Sequence, residues 1–88
     1  MPLRFTLRQI EYLIAVADAG SVALAAERLH VSSPSISTAI SQLEADFGLQ
    51  LFIRRHAQGL SLTEGGRRFV ETARTILQAL RGAAPTSI

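Results

Sequence analysis

Residues 20–47 contain two short helical patterns joined by a turn of only two residues, and few folds accommodate that arrangement. The first pattern is rich in alanine, which lets another helix pack closely against it. The turn consists of His30 and Val31, and the second pattern begins at Ser32. A proline two residues later is tolerated, because N–H groups in a first turn have no partner within the helix. Two helices joined in this way are expected to cross at an angle, as in a helix-turn-helix unit.

The helix after Ser32 has two contrasting sides when its residues are placed about 100° apart. One narrow arc is apolar and is expected to face the core: Ile36, Ile40, Leu43 and Phe47. The opposite side carries short, mostly hydroxyl side chains: Pro34, Thr38, Ser41 and Ala45, flanked by Ser37 and Gln42. No acid occurs before Glu44, so the N-terminal half suits close approach to a polyanion. We therefore expect this helix to enter the DNA major groove; a merely solvated serine-rich face is the alternative.

Another helix is predicted before residue 20. Thr6 and Gln9 have the spacing of a capping box, in which each side chain bonds the other residue's backbone N–H. The apolar residues that follow recur at helical spacing and predict one buried face: Leu7, Ile10, Leu13, Ile14 and Ala17. Gly20 is expected to end this helix, and Arg8 is expected on its solvated side.

Two short strands are predicted after Gly48 ends the groove-facing helix, at residues 51–54 and 60–62. The loop between them, residues 55–59, ends in a glycine suited to positive φ. A hairpin in this position is the wing of a winged helix. Its cationic side chains are expected to meet phosphates or a minor groove: Arg54, Arg55 and His56. The alternative for the two arginines is solubility on an edge strand.

A last helix is predicted from Thr63, and the adjacent glycines Gly65 and Gly66 indicate close packing in its first turn, with flexibility there as the alternative. A broad apolar stripe follows: Phe69, Val70, Ala73, Ile76, Leu77 and Leu80. Because its C-terminal members lie too far along to reach so small a core, we expect the stripe to bury against a second copy. A helix folded back over its own domain is the alternative. Gly82 and Pro85 are expected to end the helix before a frayed tail.

Composition limits the classes of protein that need to be considered. The 88 residues are expected to form one domain with a small core, and the absence of cysteine excludes disulfides and thiolate metal sites. The start lacks the apolar core of a signal peptide, and no apolar run approaches the roughly 18 residues of a membrane span. All nine basic residues are arginine. Residues 50–88 contain six arginines and two acidic residues, whereas residues 1–49 contain three arginines and five acidic residues. We therefore expect a soluble cytoplasmic protein with basic charge concentrated in its second half.

The run AAERLHVSSPSISTAISQLEADFGLQLFIR, followed by Gly59 and LSLTEGG, resembles the DNA-binding domain of LysR-type bacterial transcriptional regulators. The resemblance covers about residues 5–80. It implies a winged helix-turn-helix that dimerises through its C-terminal linker helix and binds partly palindromic promoter sites. It also implies that Ser33, where the family usually has glutamine, and Pro34 lie at the groove. Ser37 would contact phosphate or base, and Arg54 would be the wing arginine.

Two departures from the family pattern matter for function. Thr38 and Ala39 stand where the family often has long polar or basic side chains. Base readout is therefore expected to rely more on hydroxyl contacts, thymine methyls and DNA shape. The large effector-binding domain that usually follows is also absent, so we expect no small-molecule site in these 88 residues.

The sequence thus predicts a mainly α fold, with a winged helix-turn-helix over residues 1–62 and a linker or dimerisation helix over residues 63–88. The expected function is sequence-specific binding of double-stranded DNA as a homodimer, regulating transcription in the bacterial nucleoid, without cofactor, metal or membrane. The expected DNA contacts are Ser32, Ser33, Pro34, Ser35, Ser37, Thr38, Ser41, Arg54, Arg55 and His56. A protein-interaction adaptor is the rival, but it would favour acids or large apolar groups on the outward helix face. An enzyme is the weakest alternative, because His30 and His56 lie in separate turns.

Overall fold

The computed structural model describes residues 5–55 and 59–83, which form four helices and one antiparallel hairpin. The elements are α1 (Leu7–Ala19), α2 (Val22–Leu29), α3 (Ser33–Phe47), β1 (Phe52–Arg55), β2 (Gly59–Leu62) and α4 (Glu64–Ala83). This is the order of a winged helix-turn-helix followed by a long helix, as the sequence predicts.

Local signals set the helix ends. The Thr6 N–H donates to Gln9 Oε1 at 2.8 Å and the Gln9 N–H donates to Thr6 Oγ1 at 3.2 Å, so the capping box is complete. Gly20 ends α1 with φ +84°, and its N–H donates to the carbonyl oxygen of Val16. Ser21 and Ser32 cap α2 and α3. His30 occupies the left-handed region between them with φ +58°, a conformation that non-glycine residues seldom adopt.

Helix α1 lies at the centre of the core, since α2, α3 and α4 all pack against it. The buried cluster draws on every helix and on the start of the wing: Ile10, Leu13, Val16, Ala25, Ala26, Ile36, Ile40, Leu43, Leu51, Phe52, Val70 and Ala73. Because α3 contributes residues to this cluster, its position relative to α1 is fixed, and the outward side of α3 is held in one orientation.

The apolar stripe of α4 divides differently from the expectation. Val70 and Ala73 belong to the core cluster, whereas Leu77 lies outside that cluster, as expected, yet is buried at 9% exposure. Leu77 was expected to bury against a second copy, but it is already buried within the chain, because α4 packs along α1, where the Arg74 guanidinium donates to both carboxylate oxygens of Asp18. This hydrogen bonding raises the pKa of Arg74. Ile76 and Leu80 remain 40% and 47% exposed.

The end of α4 also differs from the prediction. The helix continues through Gly82 to Ala83, so Gly82 does not end it. A helical glycine costs about 1 kcal/mol relative to alanine, which is too little to stop a helix of this length. Pro85 and the predicted tail lie outside the described residues.

Three phenylalanines form a cluster at the C-terminal end of α3. The Phe47 ring centroid lies 5.6 Å from that of Phe5 and 4.8 Å from that of Phe69. Phe47 was expected in the core, yet it is 40% exposed, because it lies at the end of its helix and packs against these two rings. Phe69 therefore contacts its own chain rather than standing open on α4.

The wing is attached to the helical body at both ends. The Leu51 N–H donates to Glu44 Oε2 at 2.8 Å, and the Leu60 N–H donates to the Gly20 carbonyl oxygen at 3.1 Å. The hairpin pairs Arg55 with Gly59, so these residues extend the strands instead of forming the loop that the sequence predicted. Gly59 has φ +77°, a left-handed conformation that glycine adopts without the steric cost of a Cβ. His56 lies outside the described residues.

Across residues 5–55 and 59–83, no single helix is long and apolar enough to span a membrane. Helices α1 and α2 would be long and apolar enough for a membrane span only if they were counted as one segment. They are bent by 119° where they join, and both contribute to the core.

The glycine pair in α4 allows a stability test with an internal control. A Cβ at Gly66 would overlap the carbonyl oxygen of Leu51, whereas a Cβ at Gly65 would make ordinary van der Waals contacts with Leu49 Cδ1 at 3.5 Å and Thr63 Oγ1 at 4.0 Å. We expect Gly66→Ala to lower the free energy of unfolding by about 1–3 kcal/mol through overpacking against backbone. Gly65→Ala is expected to leave it unchanged or raise it by about 0.4–1 kcal/mol.

Urea denaturation followed by circular dichroism measures both variants. Equal effects at the two positions would show that Gly66 is not tightly packed against Leu51.

Candidate nucleic-acid interface

The outward side of α3 forms a low ridge of small side chains. All the residues predicted there to contact DNA are exposed: Ser32, Ser33, Pro34, Ser35, Ser37, Thr38 and Ser41. Ser32 and Ser35 also have a local structural role, since Ser32 Oγ accepts from the Ser35 N–H at 3.3 Å and lies 2.8 Å from Ser35 Oγ. The other hydroxyls on the ridge are not engaged in this cap.

Two depressions run along the sides of this ridge. The wing flank is lined by α2, by the wing and by the Ser33 and Ser37 side of α3. The α1 flank is lined by the first turns of α1 and by the Thr38 and Gln42 side of α3. With about 100° between successive residues, Pro34, Thr38, Ser41 and Ala45 fall on the side of α3 between the two depressions, and Pro34 and Thr38 also border the α1 flank. The ridge that the sequence predicted is therefore the side of α3 between these depressions.

Arg54 lies at the wing flank beside Ser33 and Ser37. Alternation along β1 places it on the same face as the buried Phe52, so it extends from the side of the wing that adjoins the helices. Arg55 borders the same depression, and its Nε donates to Ser61 Oγ at 2.9 Å. Both arginines are exposed, as binding to an external anion requires.

The α1 flank contains groups to which the sequence analysis gave no part in binding. Arg8 and Gln9 of α1 and Gln42 of α3 all line it. Gln9 Nε2 donates to Gln42 Oε1 at 2.7 Å, which joins the two helices by their side chains. Sequence reasoning recognised Gln9 only as part of a capping box, since nothing local shows that residue 42 lies beside residue 9.

The position of Ala39 contradicts one expectation about base recognition. Its short side chain was expected to reduce the reach of α3 towards the bases, but it is only 6% exposed and lies on the side of α3 that adjoins α1. A shorter reach therefore has to be argued from Thr38 alone, which does lie on the ridge.

Among the described residues, no acid lines the two depressions beside the ridge, but Glu44 lines a third depression with Ser37, Ser41 and Arg54. Glu44 lies further along α3, where its Oε2 accepts the Leu51 N–H. Within the part of the chain that the structure describes, no three His, Cys, Asp or Glu side chains are grouped as a metal site would require. The surface is thus suited to contact with an anion.

The comparisons with known proteins agree on one family. Residues 7–67 match the family model described as "Bacterial regulatory helix-turn-helix protein, lysR family". The HTH-type transcriptional regulator TcbR of Pseudomonas sp. (strain P51) is 52% identical over 71 residues, which are 81% of this chain and 24% of TcbR. TfdT of Cupriavidus pinatubonensis, another HTH-type transcriptional regulator, is 40% identical over 92% of this chain and 35% of its own.

Solved structures with this fold include two DNA complexes. The CbnR DBD–DNA complex superposes with a TM-score of 0.87 at 46% identity, covering 94% of both chains. The BenM DBD complex with benA site 1 DNA gives a TM-score of 0.83 at 29% identity, covering 89% of this chain and 90% of that one. The winged helix-turn-helix predicted from the sequence is thereby confirmed.

The chain spans about a quarter of the length of TcbR and about a third of TfdT. These relatives are named as transcriptional regulators and not as enzymes. Because the family model covers most of the chain, and the structural match extends over almost all of it, this protein belongs to the lysR family of bacterial regulatory helix-turn-helix proteins.

Proposed function

We propose that the chain binds double-stranded promoter DNA sequence-specifically as a homodimer and so regulates bacterial transcription. The observation that carries this proposal is the exposed ridge of α3, which is small, polar and free of acid in its N-terminal half. Similarity to the CbnR and BenM DNA-binding domains, both of which were solved as complexes with DNA, supports it. Promoter binding would place the protein in the cytoplasm, at the nucleoid.

The dimensions of α3 suit a major groove. A helix with its side chains is about 10–12 Å across, and the groove is about 12 Å wide. With the ridge directed inward, Ser33, Ser37 and Thr38 would meet base edges, thymine methyls or nearby phosphates. Arg54, on the wing flank, would contact the sugar–phosphate backbone or an adjacent minor groove. Arg55 would assist there, as would His56, whose position lies outside the described residues.

The second half of α4 is proposed to hold two copies together. Ile76 and Leu80 are large apolar side chains left 40% and 47% exposed. Val70, Ala73 and Leu77 are buried within the chain, so their part in a dimer would be to fix α4 rather than to meet the partner. A dimer formed in this way would present two α3 helices to successive major grooves, about one helical turn apart.

The adaptor alternative receives no support from the ridge. A protein-binding surface usually has large apolar or aromatic anchors at its centre, whereas this one consists of serine, threonine, proline and alanine. Salt-sensitive retention on nonspecific duplex DNA distinguishes the two functions, because binding to phosphates weakens as salt rises. The unaltered chain should be retained at low salt and released at high salt; indifference to DNA would favour the adaptor.

Arg54→Ala is expected to weaken binding to every duplex sequence. If Arg54 contacts one phosphate, the slope of log K against log salt concentration should fall by about 0.9 for each chain bound. Fluorescence anisotropy over a range of salt concentrations measures this slope. Arg68→Ala, which removes an exposed arginine that pairs with Glu64 on α4, should leave the slope unchanged. Equal behaviour of the two variants would contradict the wing contact.

Thr38→Ala tests base recognition separately from sequence-independent affinity for DNA. It should alter the preferred base at one position of each half-site while leaving affinity for random duplex nearly unchanged, because Thr38 carries no charge. Discrimination at that position should shift by about 0.5–1.5 kcal/mol, the contribution of a single hydrogen bond. Selection of binding sites from random DNA provides the measurement, and an identical preferred site for both proteins would remove Thr38 from the readout.

Ile76→Ser combined with Leu80→Ser tests the dimer. Since both side chains are exposed, the double variant should keep its helical circular dichroism while its monomer–dimer equilibrium shifts towards monomer. Analytical ultracentrifugation reports the change. Leu24→Ser, at a residue 46% exposed on α2, is the matched control and should not shift it. A double variant as dimeric as the control would place the interface elsewhere.

A further inference from the structure

The α1 flank presents hydrogen-bond donors beside the ridge of α3. Arg8 lines it and is exposed, and within residues 5–55 and 59–83 the ion pairs are Arg68–Glu64 and Arg74–Asp18. The charge of Arg8 is therefore not neutralised by an ion pair in the described structure. None of the described residues that line this depression carries a carboxylate. These lining residues would attract an anion, and none of them carries a negative charge that would repel one.

The orientation of the Gln42 amide follows from a chain of hydrogen bonds. The backbone N–H of Thr6 can only donate, so the atom of Gln9 that it meets at 2.8 Å must be Oε1. Gln9 therefore directs its Nε2 towards Gln42, and Gln42 must accept with Oε1, at 2.7 Å. This leaves the NH₂ group of Gln42 facing away from Gln9, in the exposed position of that side chain. The capping box of α1 thus determines that Gln42 offers donors.

If α3 lies in a major groove, the α1 flank faces one of the two sugar–phosphate backbones that border the groove. A helix that fills the groove has one sugar–phosphate backbone on each side. Arg54 lies on one side of the α3 ridge, whereas Arg8 and Gln42 lie on the other. Phosphate oxygens accept hydrogen bonds and carry negative charge, which matches a guanidinium and an amide NH₂ group.

We infer that Arg8 and the Gln42 amide contact the DNA backbone on the α1 side of the groove, opposite the strand that Arg54 contacts. Gln9 is a positioning residue, which acts by directing the NH₂ group of Gln42 outward. This inference rests on the proposed function, and it assigns binding to a face of α1.

Arg8→Gln removes the charge while retaining a long polar side chain. Measured by fluorescence anisotropy on a duplex of random sequence, it should lower the salt slope by about 0.9 for each chain bound, as expected for one lost phosphate contact. Arg68→Gln is the control of equal charge change and should leave the slope as it is. Arg54→Ala, measured in the same series, reports on the proposed function independently.

Gln9→Glu tests the orientation of Gln42. Glutamate can accept the Thr6 N–H and so preserves the capping box, but it cannot donate to Gln42. Gln42 would then turn its NH₂ group towards residue 9 and present its oxygen to the phosphate. Gln42→Ala alone should weaken binding about three- to tenfold. Gln9→Glu should cost more in the unaltered chain than in the Gln42→Ala background, where only the effect of its added charge remains.

The outcomes separate the two proposals. A normal slope for Arg8→Gln together with additive effects of Gln9→Glu and Gln42→Ala would overturn this inference, while loss of slope in Arg54→Ala would still support DNA binding. Absence of salt-sensitive binding by the unaltered chain would overturn both. A reduced slope for Arg8→Gln, with a smaller cost of Gln9→Glu in the Gln42→Ala background, would establish the second backbone contact.

Discussion

The backbone of Leu51 joins the three elements on which the interface depends. Its N–H donates to Glu44 at the end of α3, and its carbonyl oxygen accepts the Thr63 N–H at 3.0 Å, just before α4. Its side chain is fully buried, and Gly66 packs directly against its carbonyl oxygen. Because buried backbone groups must find partners, these bonds fix where the wing begins relative to both helices. The position of Arg54, three residues further along, follows from that attachment.

Features determined by neighbouring residues were predictable from the sequence. The capping box at Thr6, the left-handed glycine at position 20 and the apolar arc of α3 all depend on spacings of a few residues. The side of α3 that would enter the groove could be identified for the same reason, since the helical repeat fixes which side chains lie together. Comparison with known families then confirmed the fold.

Features that depend on contacts between distant segments were missed or misjudged. Leu77 was assigned to a dimer because its distance along α4 could be estimated, whereas the packing of α4 along α1 could not. Phe47 fits the apolar arc, yet it packs against two other rings at the edge of the core. Arg8 and Gln42 are 34 positions apart in the sequence, and only the folded chain shows that they border the same depression. The arginines and the groove-facing surface thus lie on different elements, which only the folded chain brings together.

The burial of Val70, Ala73 and Leu77 has a consequence for the spacing of DNA sites. These side chains fasten roughly the first four turns of α4 to the body that carries α3, so the outer part of α4 and the groove-facing helix move together. In a dimer joined through α4, the distance and angle between the two α3 helices would then be a property of the folded chain rather than of a hinge. Inserting one base pair between half-sites rotates one of them by roughly 35°, given 10–10.5 base pairs per turn. A rigid dimer has to meet that change by bending or twisting the DNA, and so it would discriminate between promoters by length as well as by sequence.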